Sequence, residues 1–245
     1  IFLLLNGDNH PAVATSYSYI GQIYFAQNDY SKALDYFKKS LKLDLSFFGE
    51  NHPSVASGYY NIGYVYFAQG DYSKALEYFE EVLKIRLSVY GENHSRVASV
   101  YNDIGEIYSV QGDDFKALDY FKKSLKIVLS VYGENHSQVS SIYDHIGEIY
   151  FAQKDYSKAL YYFEESLKIR LSLFGENHPE VALSYYSIGS LYIIQGDKSK
   201  ALNYYEKSLK IRLSVYGENH PLTKEIMDLI NVANSKVLQS PETTK

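Results

Sequence analysis

Six of the seven histidines, His10, His52, His94, His136, His178 and His220, stand 42 residues apart, a spacing that invites a ladder of metal ligands. Imidazoles sharing one zinc ion must each lie about 2 Å from it, whereas equivalent points on packed helices are separated by at least roughly 8–10 Å. The periodic histidine is therefore read as a loop or cap residue, and no metal is assigned. Asp144 and Glu148, four residues apart, could form an acid/base pair on one helix face. The sequence has no glycine-rich phosphate loop, nucleophile elbow or H-E-x-x-H to accompany them. The pair reads as a solvated face, so no catalytic residue, no cofactor and no enzyme activity are expected. The 27 tyrosines could stack on bases or accept phosphate, but most recur at positions that need a large amphipathic side chain between helices.

The elements that carry these residues follow from a repeat. The phrase Gly-acid-Asn-His recurs at Gly7, Gly49, Gly91, Gly133, Gly175 and Gly217, without insertion or deletion. Each unit holds two stretches of apolar periodicity parted by a two-residue break, as in Pro53 to Gln69, Gly70-Asp71, and Tyr72 to Tyr90. Val55, Tyr59, Ile62, Tyr66 and Phe67 fall at helical spacing in the first, and Ala75, Leu76, Tyr78, Phe79, Leu83, Ile85 and Leu87 in the second. Pro11, Pro53, Pro179 and Pro221 suit a first helical position, where a missing N–H costs nothing, and Ser95 and Ser137 replace them in the other units. Gly70, Gly112 and Gly196 supply a left-handed residue after the first helix; Asn28 does so at some cost, and Lys154 predicts local strain. Asp29, Asp71, Asp113, Asp155 and Asp197 follow, placed to cap the second helix. Tight turns make the two helices antiparallel neighbours. Glycine inside a helix costs about 0.5–1 kcal/mol relative to alanine, so Gly21, Gly63, Gly105, Gly147 and Gly189, with Ala33, Ala75, Ala117, Ala159 and Ala201, predict close helix crossings.

Gly63, Tyr66, Ala75 and Phe79, and their counterparts, resemble the signature of the tetratricopeptide repeat, whose usual period is about 34 residues. The longer second helix and the Gly-Glu-Asn-His-Pro-x-Val-Ala ending are similar to the 42-residue variety of kinesin light chains. The resemblance implies an all-α, right-handed α-solenoid (superhelix) of antiparallel helix hairpins, with first helices lining a concave groove that holds peptides or partner proteins. The expected division is 1–6 as the end of a preceding repeat helix, five repeats at 7–48, 49–90, 91–132, 133–174 and 175–216, a capping helix at 217–238 and a tail at 239–245. Ile1 to Leu5 aligns with Ile85 to Val89, which predicts a fragment of a longer array. In the cap, Leu222, Ile226, Leu229, Ile230, Ala233 and Val237 keep an apolar face while Asn231 replaces the glycine.

The same resemblance places the groove at residues three before, one after and four after each repeat glycine. Those of greatest interest are Gln22, Phe25, Tyr60, Tyr64, Phe67, Asn102, Glu106, Asp144, Glu148, Phe151, Tyr186 and Ser190, with Asp103 and His145 one residue aside and facing the rim. Arg96 is the one basic residue of the first helices, against Asp103, Glu106, Asp144, Glu148 and Glu180. A groove acidic in its middle is expected, one that takes a Lys- or Arg-bearing segment through carboxylates and cation–π contacts. The cations of a carboxylate clamp are missing, and only fragments of the asparagine pairs of kinesin light chains remain, so neither specificity is carried over. A protein-interaction scaffold is the expected function, and a regulatory or oligomerisation module of a larger signalling or enzymatic protein the alternative. Self-association through the apolar edge Ile1 to Leu5 is a third reading. A net charge of −5 argues against nucleic-acid partners, the absence of cysteine excludes disulfides and thiolate metal sites, and the short apolar start neither spans a membrane nor forms a leader. The expected setting is cytoplasmic.

Overall fold

The structure, a computed structural model, describes residues 10–235. The apolar edge at Ile1 to Leu5, the first repeat glycine Gly7, and Val237, Leu238 and the tail lie outside the described residues. Eleven helices and no strand occur among the described residues: α1 Pro11–Ala26, α2 Tyr30–Phe48, α3 Pro53–Ala68, α4 Tyr72–Tyr90, α5 Ser95–Val110, α6 Asp114–Tyr132, α7 Ser137–Ala152, α8 Tyr156–Phe174, α9 Pro179–Gln195, α10 Lys198–Tyr216 and α11 Pro221–Ser235. The chain divides into two compact units, Ile1–Val131 and Tyr132–Lys245. In the first, α1 to α5 pack in order, each against the next; in the second, α7 to α11 do the same.

Each first helix begins at a histidine. Its Nδ1 accepts a hydrogen bond from the backbone N–H two residues on, at 3.1–3.2 Å in all six cases, which satisfies one of the orphan donors of the helix start. The same ring stacks on the last aromatic of the preceding helix: Phe48 on His52, Tyr90 on His94, Tyr132 on His136, Phe174 on His178 and Tyr216 on His220, with centroids 4.1–4.5 Å apart. Cap and stack together fix the joint between hairpins.

The turn within each hairpin follows the expected chemistry. Gly70, Gly112 and Gly196 are left-handed, and so are Asn28 at φ 59° and Lys154 at φ 62°. Asp29, Asp71, Asp113, Asp155 and Asp197 then accept from the backbone N–H three residues on, each at a lysine. The ammonium of that lysine returns to pair with the aspartate and also lies over a first-helix tyrosine, 4.7–5.0 Å from the ring centre.

Hairpin closeness rests on the helical glycines. A Cβ added at Gly21, Gly147 or Gly189 would lie 2.7 Å from the rings of Phe37, Phe163 and Tyr205, and one at Gly105 would lie 2.9 Å from Phe121. At Gly63 the nearest atoms belong to Tyr78 and Phe79, at 3.1 and 3.2 Å. The glycine thus makes room for the ring of the aromatic sixteen residues on, while the alanines at 33, 75, 117, 159 and 201 are fully buried. A second aromatic pair crosses each hairpin in stacked geometry, from Tyr24 on Tyr36 to Tyr192 on Tyr204, at 5.5–5.7 Å. Interhelical packing therefore accounts for much of the tyrosine content. Ser40, Ser124 and Ser208 donate to the carbonyls of Ala14, Ala98 and Ala182, satisfying buried hydroxyls within a hairpin.

A non-glycine residue in the left-handed region carries about 1–2 kcal/mol of strain. Lys154→Gly should raise stability to chemical denaturation by about 1 kcal/mol, whereas Gly147→Ala, which drives a methyl into Phe163, should lower it by about 1–3 kcal/mol. Unchanged denaturation midpoints in both variants would refute this account of the turn and the crossing.

Candidate functional site

The twelve expected groove positions divide between the two units. In the first, Gln22, Phe25, Tyr60, Tyr64 and Glu106 line one cavity of roughly 230 Å³, together with Phe37, Asn61 and Asp103. Apart from Phe37, which reaches in from α2, these side chains come from α1, α3 and α5, three successive first helices that expose the same face because the repeat keeps its register. The rings of Phe25 and Tyr64 lie 5.8 Å apart, Tyr60 stacks on Tyr64 at 6.0 Å, and Tyr64 meets Phe67 at 6.0 Å. Phe25 and Phe67 also pack on Tyr30 and Tyr72 across the hairpin turn, as Phe151 does on Tyr156 in the second unit. Part of each of these rings therefore serves the hairpin itself.

Asp103 departs from the sequence expectation. It lines the cavity instead of the rim, and its Oδ2 is buried without a hydrogen-bond partner. Burial, and then the neighbouring Glu106 carboxylate, push the Asp103 carboxyl up to about 7, against a hydrogen bond from Tyr60 and the charge of Arg86. Glu106 accepts from the Asn102 amide at 2.6 Å, and burial still holds it above the usual carboxylate range.

In the second unit Asp144 is not open to an incoming cation. The guanidinium of Arg170, only 4% exposed, reaches it at 2.7 Å, contacts Glu180 at 2.9 Å and donates to Ser184 Oγ at 2.8 Å. Burial nevertheless raises Asp144 to about 6, with Arg170 opposing. His145 is pushed down by burial and by Arg170, and its Nδ1 lies 4.0 Å from Glu148. Tyr186 donates to Glu225 at 3.0 Å beneath the guanidinium of Arg212, 5.0 Å from its ring centre. Ser190 donates to the Tyr186 carbonyl and meets the Tyr205 hydroxyl at 3.1 Å.

These arginines come from second helices, and a charge count restricted to first helices misses them. The signal was present in the register 44, 86, 128, 170 and 212, which reads Asp, Arg, Val, Arg, Arg. Among the described residues no group of three or more His, Asp or Glu could hold a metal ion, and no helix is long and apolar enough to cross a membrane.

Paired helices of fixed length, glycine-locked and capped at matching points, define an α-solenoid of the repeat-scaffold class. The tetratricopeptide repeat profile matches residues 1–46, 43–88, 54–130, 96–172 and 138–214, and the chain belongs to that family. BtubC (BKLC) from P. vanneervenii shares the fold at a TM-score of 0.75, with 24% identity over 86% of this chain and 84% of that one. A putative kinesin light chain of Podosopora anserina with nearly identical TPR-like repeats superposes at 0.70, with 17% identity over 84% and 98% of the two chains. The Rap conjugation gene regulator of the plasmid pLS20, in complex with a Phr peptide, does so at 0.68, with 17% identity over 89% and 58%. No curated protein matches the sequence. The family is a protein-interaction scaffold, and no catalytic family is indicated.

The Asp103 environment predicts a pH effect. Its carboxyl titrates near 7 when folded and near 3.9 when unfolded, so the folded chain holds the extra proton and stability falls as pH rises between those values. Asp103→Asn should therefore be more stable than the parent at pH 8, by on the order of 2 kcal/mol, with the advantage gone near pH 4. Thermal melts at both pH values check this, and equal melting temperatures at pH 8 would overturn it.

Proposed function

We propose that the protein binds an extended segment of a partner protein along its first helices, with a Lys or Arg side chain of that segment entering the cavity of Gln22, Phe25, Tyr60, Tyr64, Asp103 and Glu106. The observation that carries this reading is the pairing, in one cavity, of aromatic walls with two carboxyls that burial makes costly to ionise. A cationic guest relieves that cost, gains cation–π contact with the tyrosines and excludes guests of the wrong charge. The Rap regulator of similar fold, solved with a peptide, supports a peptide as the form of the guest. Asn102 and Phe67 then serve as flanking contacts; in the second unit, taken by itself, Glu148, Phe151, Tyr186 and Ser190 form a separate candidate set beside an Asp144 already paired with Arg170. On this reading the units 7–48, 49–90, 91–132, 133–174 and 175–216 are non-catalytic binding modules of a cytoplasmic protein, and 217–238 is a cap.

Fluorescence anisotropy with a labelled nonapeptide library carrying one fixed Arg or Lys tests the proposal. Binding should weaken with salt, fall about tenfold for Tyr64→Ala, and fall at least as far for Glu106→Lys. Affinity that is the same for the parent and Glu106→Lys at every salt concentration would sink it.

A further inference from the structure

Three hairpins fill one polar niche from within. Arg86 leaves α4, passes 5.3 Å from the centre of the Tyr60 ring, and donates to the Arg96 carbonyl at 2.8 Å and to Ser99 Oγ at 3.0 Å on the next first helix. Arg170 spans Asp144, Glu180 and Ser184 in the same way. Arg212 spans Tyr186, the Leu222 carbonyl at 2.6 Å and Glu225 at 3.5 Å. The niche lies between the second helix of one repeat and the first helix of the next, and residues 96, 180 and 222, at one register, each supply an acceptor.

In the first repeat the residue at this register is Asp44. The acceptor side persists: Ser54 and Ser57 occupy the positions of Arg96 and Ser99, and with Ser18, Asn61 and Asp44 they line a cavity of roughly 240 Å³. Asp44 is only 9% exposed. Its carboxylate, which faces this cavity, has no hydrogen bond or ion pair among the described residues, and burial raises it above the ordinary carboxylate range, with the charge of His52 opposing. The Ser57 hydroxyl donates to the Pro53 carbonyl at 3.0 Å, and Ser18 Oγ accepts from the Asn61 amide at 3.3 Å, which leaves oxygen lone pairs on both. The place that holds a guanidinium in three other repeats thus keeps its acceptors, gains a carboxylate and has no Arg or Lys in its lining among the described residues.

We propose that the Asp44 niche is a receptor for an arginine side chain supplied by a partner chain. A guanidinium meets a carboxylate with two parallel N–H donors and has three more for surrounding oxygens, which suits a carboxylate ringed by serines better than the compact ammonium of lysine. Gln22 and Asn61 line both this niche and the neighbouring aromatic cavity, so a segment lying in that cavity brings its adjacent side chains to Asp44. The inference deepens the peptide-binding reading by adding a second recognition point, and it concerns a different set of carboxyls.

The test is a nuclear magnetic resonance titration of the full chain with N-acetyl-arginine-N-methylamide, against the citrulline counterpart, which keeps the shape and loses the charge. The arginine compound should give saturable shifts centred on the amides of Ser18, Ser57 and Asn61, and the citrulline compound none. Asp44→Asn should weaken binding at least tenfold. Asp44→Arg should abolish it and raise the melting temperature, because the chain then closes its own niche as it does at Arg86. The same compound can enter the aromatic cavity, so the two sites are read at different amides: Glu106→Gln should change only the shifts at Tyr64, whereas Asp44→Asn should change those at Ser18 and Ser57. Equal shifts from citrulline, or full binding by Asp44→Asn or Asp44→Arg, would overturn the assignment.

Discussion

The contact on which the structure depends is the aromatic ring laid on a helical glycine. At Gly21, Gly105, Gly147 and Gly189 even a methyl group would enter the ring opposite, so the two helices of a hairpin sit at a separation that one side chain sets. Glycine weakens the first helix by its own flexibility, and the ring returns more than that through burial and dispersion. The stacked tyrosine pair, the aspartate cap and its lysine all presuppose this spacing. Were the helices further apart, the Lys32 ammonium could not pair with Asp29 and lie over Tyr24 at once.

Above this apolar lock lies a polar layer in which charge is managed from the second helices. Burying Arg170 at 4% exposure is tolerable only because Asp144, Glu180 and Ser184 surround it, since a desolvated charge without partners is strongly destabilising. The acids of the first helices consequently differ in kind. Asp144 is committed to the fold, while Asp103 has an oxygen without a hydrogen-bond partner and faces the cavity. The first-helix acids, alike in sequence, are partly neutralised in one unit and concentrated at one point in the other.

Period, caps and turns were legible from residues alone, because each depends on local backbone chemistry. The left-handed Asn28 and Lys154 followed from the turn pattern, and the histidine cap was one of two bland readings of a periodic loop residue. The paired role of the glycine was only half visible: a small residue in a helix implies a close neighbour, and the identity of that neighbour, an aromatic and not an alanine, needs the crossing angle. Asp103 was misplaced by one position on the helical wheel, where a rotation of a fraction of a turn separates rim from cavity. Val65 and Val82, fully buried, were overlooked because the larger aromatics beside them dominated the periodic pattern. The arginines were missed for a different reason, since a long side chain on one helix can spend its charge on another.

The niche register also bears on how such a chain diversifies. Arg86, Arg170 and Arg212 close their niches, and Asp44 leaves one open, yet the helix lengths, caps and glycine locks around all four are alike. A change of one codon at this register can toggle a hairpin between self-occupied and receptive while its architecture stays still. Recognition in the array can therefore drift one hairpin at a time.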